Sequence, residues 1–154
     1  MVEEFEIKLA TIEDMKDVFD LSNDALVRAN SFNQEKIQWD YHQKWFKNKI
    51  NDESCSYYLI KDFENHLISQ VRFDKINAGE GDLSISVSPQ FRGKGYGAKV
   101  LKAVSEKIIS EPCTKRINAY VKNENAASKI IFEKAGYVLK EVDSAKVRYE
   151  FNVK

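Results

Sequence analysis

The feature that most constrains this chain is a glycine-rich segment between a strand-like run and a helical pattern. The stretch ISVSPQFRGKGYGAKVL places Gly93, Gly95 and Gly97 at every second position, beside Arg92 and Lys94. The whole chain has only six glycines, so half of them lie in this one loop. Because such a loop exposes main-chain N–H groups at the start of the helix, it is a candidate anion site.

Apolar periodicity assigns the rest of the chain to strands and helices in an α/β order. Seven runs alternate or are continuously apolar, as strands are: FEIKL, SYYLIK, LISQVRF, LSISV, RINAYV, YVLKEV and VRYEF. Four segments have helical spacing, starting after Thr11, near Ile37, after the glycines and after Asn125. The stretches LVRANSFNQEK and AGEGD have no period, and they predict a loop and a turn. No repeat or linker interrupts residues 1–154, so we expect one domain.

The charge balance excludes several classes of function. The 154 residues include 24 Lys and Arg against 24 Asp and Glu, a formal net charge of +0. We therefore expect neither a nucleic-acid partner nor an anionic membrane. The two cysteines, Cys55 and Cys113, fit no metal spacing and no disulfide framework, and the N-terminal segment lacks the basic start of a signal peptide. We expect a cytoplasmic protein without a metal.

Three interpretations compete for the glycine segment. A tight turn explains one or two glycines, but not three beside two cations. Gly93, Gly95 and Ala98 match the G-x-G-x-x-G/A dinucleotide fingerprint, yet the next strand ends at Lys122, where that fold requires an acidic residue. A Walker sequence is excluded because no Gly-Lys-Ser/Thr is present. A pyrophosphate held at the N-terminus of a helix fits best.

Two segments resemble the signatures of one enzyme family. The run from Gln90 to Ala98, QFRGKGYGA, resembles the Q/R-x-x-G-x-G/A acetyl-coenzyme A (acetyl-CoA) motif of the GNAT N-acetyltransferases, and NENAASKIIFEKAGY resembles their second signature. The order of the predicted elements is similar over nearly the whole chain. The resemblance implies an α/β (α+β) GNAT fold, with a mixed sheet of six to seven strands that splays after the fourth, and about four helices. It also implies acetyl-CoA as co-substrate.

The same resemblance assigns the cofactor site. The pyrophosphate would lie on the glycine segment, and the pantetheine arm on the main chain from Ile85 to Val87. Asn125, at the start of the last helix, matches a position that contacts the cofactor, although an N-cap role explains it equally well. The loop residues implied are Arg92, Gly93, Lys94, Gly95, Tyr96, Gly97 and Ala98.

The resemblance further implies direct attack of a primary amine on the thioester. The main-chain N–H of Val87 would stabilise the oxyanion that forms. Asp82 or Glu80 would accept the amine proton, directly or through water, although carboxylates in a turn are usually only solvated. Relatives carry a general-acid Tyr where this chain has Phe132, which leaves the acid unassigned.

The acceptor would be recognised by the segment RANSFNQEKIQWDYHQKWF. Its aromatic residues suit a sugar or a nucleobase, and an aromatic core stripe is the competing interpretation. The pattern of Ser31, Ile37, His42 and Trp45-Phe46 resembles a GNAT subgroup that acetylates nucleotide-linked aminosugars. This resemblance implies that Arg28 and Arg72 pair with a phosphate. The substrate-binding residues predicted are Ser31, Trp39, His42, Phe46 and Arg72.

Two other functions stay open at this point. The acceptor would otherwise be the α-amino group of a protein or peptide. Alternatively, the domain would bind acyl-coenzyme A without catalysis, which the missing hydroxyl at Phe132 favours. Members of the family often form dimers, so a homodimer is a further expectation.

Overall fold

Within the described part of the chain, seven strands form one mixed sheet. The structure, a computed structural model, describes residues 4–154. The strands are β1 (Glu6–Leu9), β2 (Cys55–Lys61), β3 (Leu67–Lys75), β4 (Glu80–Val87), β5 (Arg116–Lys122), β6 (Val138–Val142) and β7 (Lys146–Asn152). Their order is β1-β2-β3-β4-β5-β7-β6, and every neighbouring pair is antiparallel except β4 and β5. All seven strands expected from the sequence are present.

Among residues 4–154, five α-helices flank the sheet, one more than the sequence predicts. They are α1 (Met15–Ser22), α2 (Ala25–Asn30), α3 (Trp39–Asn51), α4 (Tyr96–Ile109) and α5 (Ala126–Lys134). The additional helix, α2, lies in the segment predicted to be a loop. It has only six residues, too few to show a helical period, and the Asp24 carboxylate caps it by accepting from the N–H groups of Leu26 and Val27.

Helices cover the sheet on both faces, and β2 shows this in its sequence. The run YYLI is continuously apolar, as strands buried on both faces are. Tyr58 and Ile60 pack in one core with residues of α4 and α5, whereas Tyr57 and Leu59 pack in a second core with residues of α1 and α3. The alternation of side chains along one strand therefore serves two separate cores.

β4 and β5 separate part-way along their length. They pair only from Glu80 to Asp82, whereas β3 stays paired with β4 as far as Val87. The N–H of Ser88, directly after β4, donates to a carbonyl of β3. Because main-chain groups alternate sides along a strand, those of Val87 and Ile85 face away from β3, into the gap. The expected splay after the fourth strand is confirmed.

Candidate active site

The gap between β4 and β5 opens into a cleft of about 870 Å³. α2 and the segment after it form one wall, and β3 and β4 form the floor. The other wall consists of residues 91–98, called here the glycine loop, together with the first turns of α4 and α5. The predicted site residues that line the cleft are Ser31, Arg72, Ile85, Val87, Arg92, Gly93, Gly95, Gly97, Ala98 and Asn125.

The glycines of the loop have two different physical roles. Gly93 and Gly95 have φ angles of 73° and 85°, which disfavour any side chain, and the space where a Cβ would stand is open. Gly97 is buried in α4, where a Cβ would lie only 2.8 Å from Ile131 Cδ1. Two glycines therefore shape the loop, and the third allows α4 and α5 to approach each other.

The N-terminus of α4 is suited to an anion. Gly95 is its N-cap residue, and no side chain within residues 4–154 caps this helix. Its first N–H groups and the positive end of the helix dipole therefore remain available to a ligand in the cleft. Two predicted residues of the loop do not line the cleft. Lys94 is exposed to solvent outside the cleft. Tyr96 packs edge-on against Phe91, with ring centroids 5.2 Å apart.

Arg92 is engaged within the protein. Its Nη2 donates to Asp24 Oδ2 at 2.6 Å, and its Nε donates to the Val87 carbonyl at 3.0 Å. The guanidinium therefore connects the glycine loop to the N-terminus of α2 and to the free edge of β4. This arrangement differs from the free phosphate ligand that the family resemblance implies.

Asn125 lines the cleft and also caps α5. Its Oδ1 accepts from the N–H of Ser128 at 3.1 Å, and its Nδ2 donates to the Ser128 hydroxyl at 2.9 Å. The N-cap interpretation of this residue is therefore correct, and it holds the start of α5 against the cleft wall.

The two candidate bases have opposite electrostatic environments. Amide hydrogen bonds from Asn118 and Asn77 hold the pKa of Glu80 below its ordinary value. Burial, with Asp74 and Glu80 nearby, raises the pKa of Asp82, and its Oδ1 is buried with no partner among residues 4–154. Neither carboxylate lines the cleft. Asp82 is, however, the last β4 residue paired with β5, so it stands at the point where the gap between the two strands begins. Asp82 is the better suited of the two to accept a proton through water.

Phe132 is buried in the wall of the cleft, and Tyr137, the tyrosine nearest to it in sequence, does not replace its missing hydroxyl. Tyr137 packs edge-on against it at 4.9 Å, but the Tyr137 hydroxyl is hydrogen-bonded to Ser105 at 2.6 Å inside the core. Burial raises the pKa of Tyr137. A phenol held in this way is directed away from the cleft, so it does not supply the acid.

His42 and Phe46 of the α3 aromatic stripe are buried in the protein, which corrects the expectation that they bind substrate, whereas Trp39 is 37% exposed but lies outside the cleft. His42 is buried and its Nε2 is 2.9 Å from the Met15 carbonyl, while Phe46 is fully buried beside it. Trp39 packs edge-on against Phe19 at 5.0 Å. None of the three α3 residues lines the cleft. The stripe is aromatic because it fills the second core between α1 and the sheet, and burial lowers the pKa of His42.

The two arginines predicted to bind phosphate differ in how much of the guanidinium is already used. Arg28 donates to the main-chain carbonyls of residues 22, 33 and 35 and to the Ser31 hydroxyl, so it shapes the segment after α2. Arg72 donates only its Nε, to Asp74 Oδ2 at 2.8 Å, and stacks 5.1 Å from the Trp45 ring. Within residues 4–154 its Nη groups have no hydrogen-bond partner at normal distance, and they lie beside the Tyr57 hydroxyl on the floor of the cleft.

Two exposed aromatic residues at the mouth of the cleft are absent from the sequence-based prediction. Phe32 and Tyr120 are 59% and 40% exposed, and the Lys146 ammonium lies 5.7 and 5.0 Å from their ring centroids. Alternation along β5 buries residues 117, 119 and 121, which places Tyr120 on the opposite side. That alternation is the signal that would have identified Tyr120.

Every charged residue that lines the cleft within residues 4–154 is a cation, although the chain is neutral. The cations that line it are Arg28, Arg72, Arg92, Lys122 and Lys134. Two of these cations pair with carboxylates outside the lining, Arg92 with Asp24 and Arg72 with Asp74. Such a cleft favours ligands that carry negative charge and disfavours polycations.

Comparison with protein families identifies the chain. A family model described as an acetyltransferase (GNAT) domain matches residues 5–138. The chain belongs to the GNAT acetyltransferase family. It is an acetyl-CoA-dependent N-acetyltransferase, and its sheet of seven strands with five helices is the GNAT fold. The sequence of this GNAT enzyme has no significant match among curated proteins.

Solved structures share the fold of this GNAT enzyme at low sequence identity. Spermidine N-acetyltransferase from Vibrio cholerae, in complex with CoA and spermine, has a TM-score of 0.87 and 16% identity, over 97% of this chain and 95% of that one. AAC(6')-Ib, in complex with paromomycin and acetyl-CoA, has a TM-score of 0.84 and 15% identity, over 97% and 94%. At these identities the likeness shows the fold.

The described part of the GNAT enzyme shows neither a metal-binding cluster nor a membrane-spanning helix. Residues 4–154 contain no cluster of three or more His, Cys, Asp or Glu side chains arranged to hold a metal ion. In the same part of the chain, no helix combines the length and apolar composition needed to cross a membrane.

Proposed function

We propose that the cleft holds acetyl-CoA with its pyrophosphate at the N-terminus of α4. The uncapped helix start at Gly95 carries this proposal, because its N–H groups have no other side-chain partner within residues 4–154. The open side of Gly93 and Gly95 gives an anion access to the main chain. The free edge from Ile85 to Val87 would hydrogen-bond the pantetheine amides. When bound, acetyl-CoA supplies the activated acetyl thioester.

The residues around the gap would perform the remaining chemistry. The N–H of Val87 faces the gap and would stabilise a developing oxyanion, which is worth about 3 kcal/mol for one such donor. Asp82 would accept a proton from the acceptor amine through a water in the gap. Phe132 offers no proton to the departing thiolate, whose reference pKa of about 8.5 makes it a tolerable leaving group without one.

For the acceptor, we propose a small primary amine that also carries phosphate, namely a nucleotide-linked aminosugar. Arg72 and Lys134, in a lining without a carboxylate side chain, support a phosphate-bearing ligand. The other cations of the lining already bind groups of the protein. Arg72, with free Nη donors on the floor, would bind that phosphate bidentately. Phe32 and Tyr120 at the mouth would stack on the planar base. A polyamine such as spermine, the ligand of one structural neighbour, would meet like charge here.

Calorimetric titration tests the cofactor proposal. We expect acetyl-CoA, and not NAD, to bind the wild-type protein with micromolar affinity. Gly95→Asp should abolish this binding, because a carboxylate would face the pyrophosphate. The matched control is Gly136→Asp, which also alters a positive-φ glycine but lies outside the cleft, and it should bind normally. Unchanged affinity in Gly95→Asp would contradict the proposal.

A thiol-release assay tests the acceptor. We expect turnover with a nucleoside diphosphate aminosugar and little or none with spermidine or with a peptide that has a free α-amino group. Arg72→Lys should raise KM for the nucleotide-linked sugar and leave KM for the same aminosugar without its nucleotide unchanged. Preference for spermidine or for the peptide would replace the acceptor proposed here.

Three broader expectations remain proposals. Residues 1–154 would act as one acetyltransferase domain, since the sheet extends from Glu6 to Asn152. The protein would be cytoplasmic, in keeping with the free cysteines Cys55 and Cys113. It would form a homodimer, which light scattering at several concentrations would test.

A further inference from the structure

The short helix α2 is held at both ends by cations from the other side of the cleft. At its N-terminus, Asp24 Oδ2 accepts from Arg92 Nη2 at 2.6 Å. At its C-terminus, the Ala29 carbonyl accepts from Lys122 Nζ at 3.3 Å. α2 has no buried residue of its own, and six residues are too few for a helix that is stable without external contacts. We therefore expect these two contacts across the cleft to hold α2 in place.

Asp24 combines two functions in one carboxylate. The oxygen that binds Arg92 also accepts from the N–H groups of Leu26 and Val27, which begin α2. Arg92 in turn donates its Nε to the carbonyl of Val87. Its guanidinium thus fixes the start of α2 relative to the free edge of β4. Burial opposes ionisation of Asp24, but Arg92 and the two N–H groups outweigh it, so the pKa of Asp24 is lowered.

We propose that Asp24 is a positioning residue for acceptor binding, which holds α2 over the cleft through Arg92. α2 and the following residue supply Leu26, Val27, Arg28 and Ser31 to the cleft wall, so displacement of α2 removes one side of the acceptor site. Arg92 then acts chiefly as a bridge between the two walls and not as a phosphate ligand. The expected effect on acceptor KM rests on the proposed function, whereas the Asp24–Arg92 bridge between the two cleft walls does not.

Hydrogen exchange of the free protein tests the bridge. Asp24→Asn keeps an N-cap of similar strength and removes the charge that binds Arg92. We expect the amides of residues 25–37 to exchange about tenfold faster in this variant, as expected for the loss of one charge-assisted hydrogen bond. Arg92→Gln should give the same change, and the double variant no further change. Full additivity, or unchanged exchange in Asp24→Asn, would overturn the proposal.

Asp14→Asn is the matched control for these variants. Asp14 has similar exposure, binds the Lys61 ammonium at 3.1 Å and accepts from the N–H of Thr11, but it lies outside the cleft. Exchange in residues 25–37 and turnover should both remain normal in this variant. Faster exchange there would mean that α2 responds to any loss of stability, which would also overturn the proposal.

Steady-state kinetics and calorimetry test the consequence for the reaction. In Asp24→Asn we expect KM for the acceptor to rise about tenfold, matching the exchange change, while the Kd for acetyl-CoA changes less than about twofold. Loss of acetyl-CoA affinity in Arg92→Gln, without an effect of Asp24→Asn on the acceptor, would show that Arg92 is a phosphate ligand and refute the bridge. If wild-type protein binds no acetyl-CoA, the proposed function fails, whereas the exchange result still decides the bridge.

Discussion

Asp82 is the residue whose environment and proposed role are most directly connected. One of its oxygens is buried without a partner in the described chain, at the last position where β4 pairs with β5. Burial raises the pKa of Asp82, so its proton is held more tightly in the folded protein than in the unfolded chain. Stability therefore falls as pH rises from about 3.9, the ordinary value for Asp, to the raised pKa.

Replacing Asp82 should separate stability from activity. Asp82→Asn removes the cost of a buried charge, so we expect Tm at pH 7 to rise. The gain should be smaller at pH 4.5, where the wild-type carboxyl is closer to protonated. Loss of the base should lower kcat at least about 100-fold. Scanning calorimetry and initial rates measure the two effects.

Glu80→Gln provides the control of opposite sign. Hydrogen bonds from Asn118 and Asn77 hold the pKa of Glu80 below its ordinary value, so its ionised form stabilises the fold at pH 7. That contribution is lost as pH falls through the lowered pKa. The variant should therefore lower Tm at pH 7 and affect kcat little. A fall in Tm for both variants would contradict this account of Asp82.

Phe132→Tyr tests whether protonation of the thiolate limits turnover. Phe132 lies in the cleft wall, at the position where the family resemblance implies a general-acid tyrosine. We expect kcat to rise by up to about tenfold, a modest effect for general-acid catalysis. Phe132→Leu, which lacks both ring and hydroxyl, is the control and should not raise it. Equal kcat in wild type and Phe132→Tyr would mean that another group, or none, supplies this proton.

Among the elements, β4 depends on close packing at Gly81. A Cβ at this position would lie 2.5 Å from the Asp74 carbonyl and 2.7 Å from Phe73 Cζ. The carbonyl belongs to β3 and cannot move without breaking the pairing that leads to the cleft. We expect Gly81→Ala to lower the unfolding free energy by at least about 1–3 kcal/mol, measured by urea denaturation.

Gly79→Ala is the corresponding control for Gly81→Ala. The nearest atom to a Cβ at Gly79 is 3.8 Å away, an ordinary contact. Its unfolding free energy should stay within about 0.5 kcal/mol of wild type. Equal stability of the two alanine variants would show that the strand tolerates a side chain at Gly81.

The sequence predicts most elements because their apolar residues follow a clear period. The exceptions have physical causes. α2 is too short to show a period, and its stability comes from the Asp24 cap and contacts across the cleft. β4 begins at Glu80 within a predicted turn, because Gly81 is present for close packing and not for chain reversal. Periodicity places His42 and Phe46 on one helix face, but it does not show whether that face meets a core or a ligand.

At the scale of the whole molecule, the net charge is zero, but positive and negative side chains are not distributed evenly. The chain has equal numbers of cations and anions, yet every charged residue in the described lining of the cleft is a cation. The sequence predicts the glycine loop because its motif is local. It does not predict the cleft charge, because Arg72, Lys122 and Lys134 come from three separate elements.

This uneven distribution predicts a salt dependence. At saturating acetyl-CoA, KM for a phosphate-bearing acceptor should increase as ionic strength rises, because screening weakens its attraction to the cleft beyond the Debye length of about 8 Å at 0.15 M. The value of kcat should change little. Initial rates over a sodium chloride series provide the measurement. A KM that falls with added salt would indicate a cationic acceptor.

The unpaired half of β4 also affects the protein before any ligand binds. Apart from the Val87 carbonyl, which accepts from Arg92, the main-chain groups of this strand edge that face the gap do not pair with β5, and we expect such an edge to pair readily with an edge of another chain. Acetyl-CoA lying along that edge would block such pairing and act as a chaperone for its own enzyme. In a cell short of acetyl-CoA, the enzyme would then be lost through aggregation as well as slowed by lack of substrate.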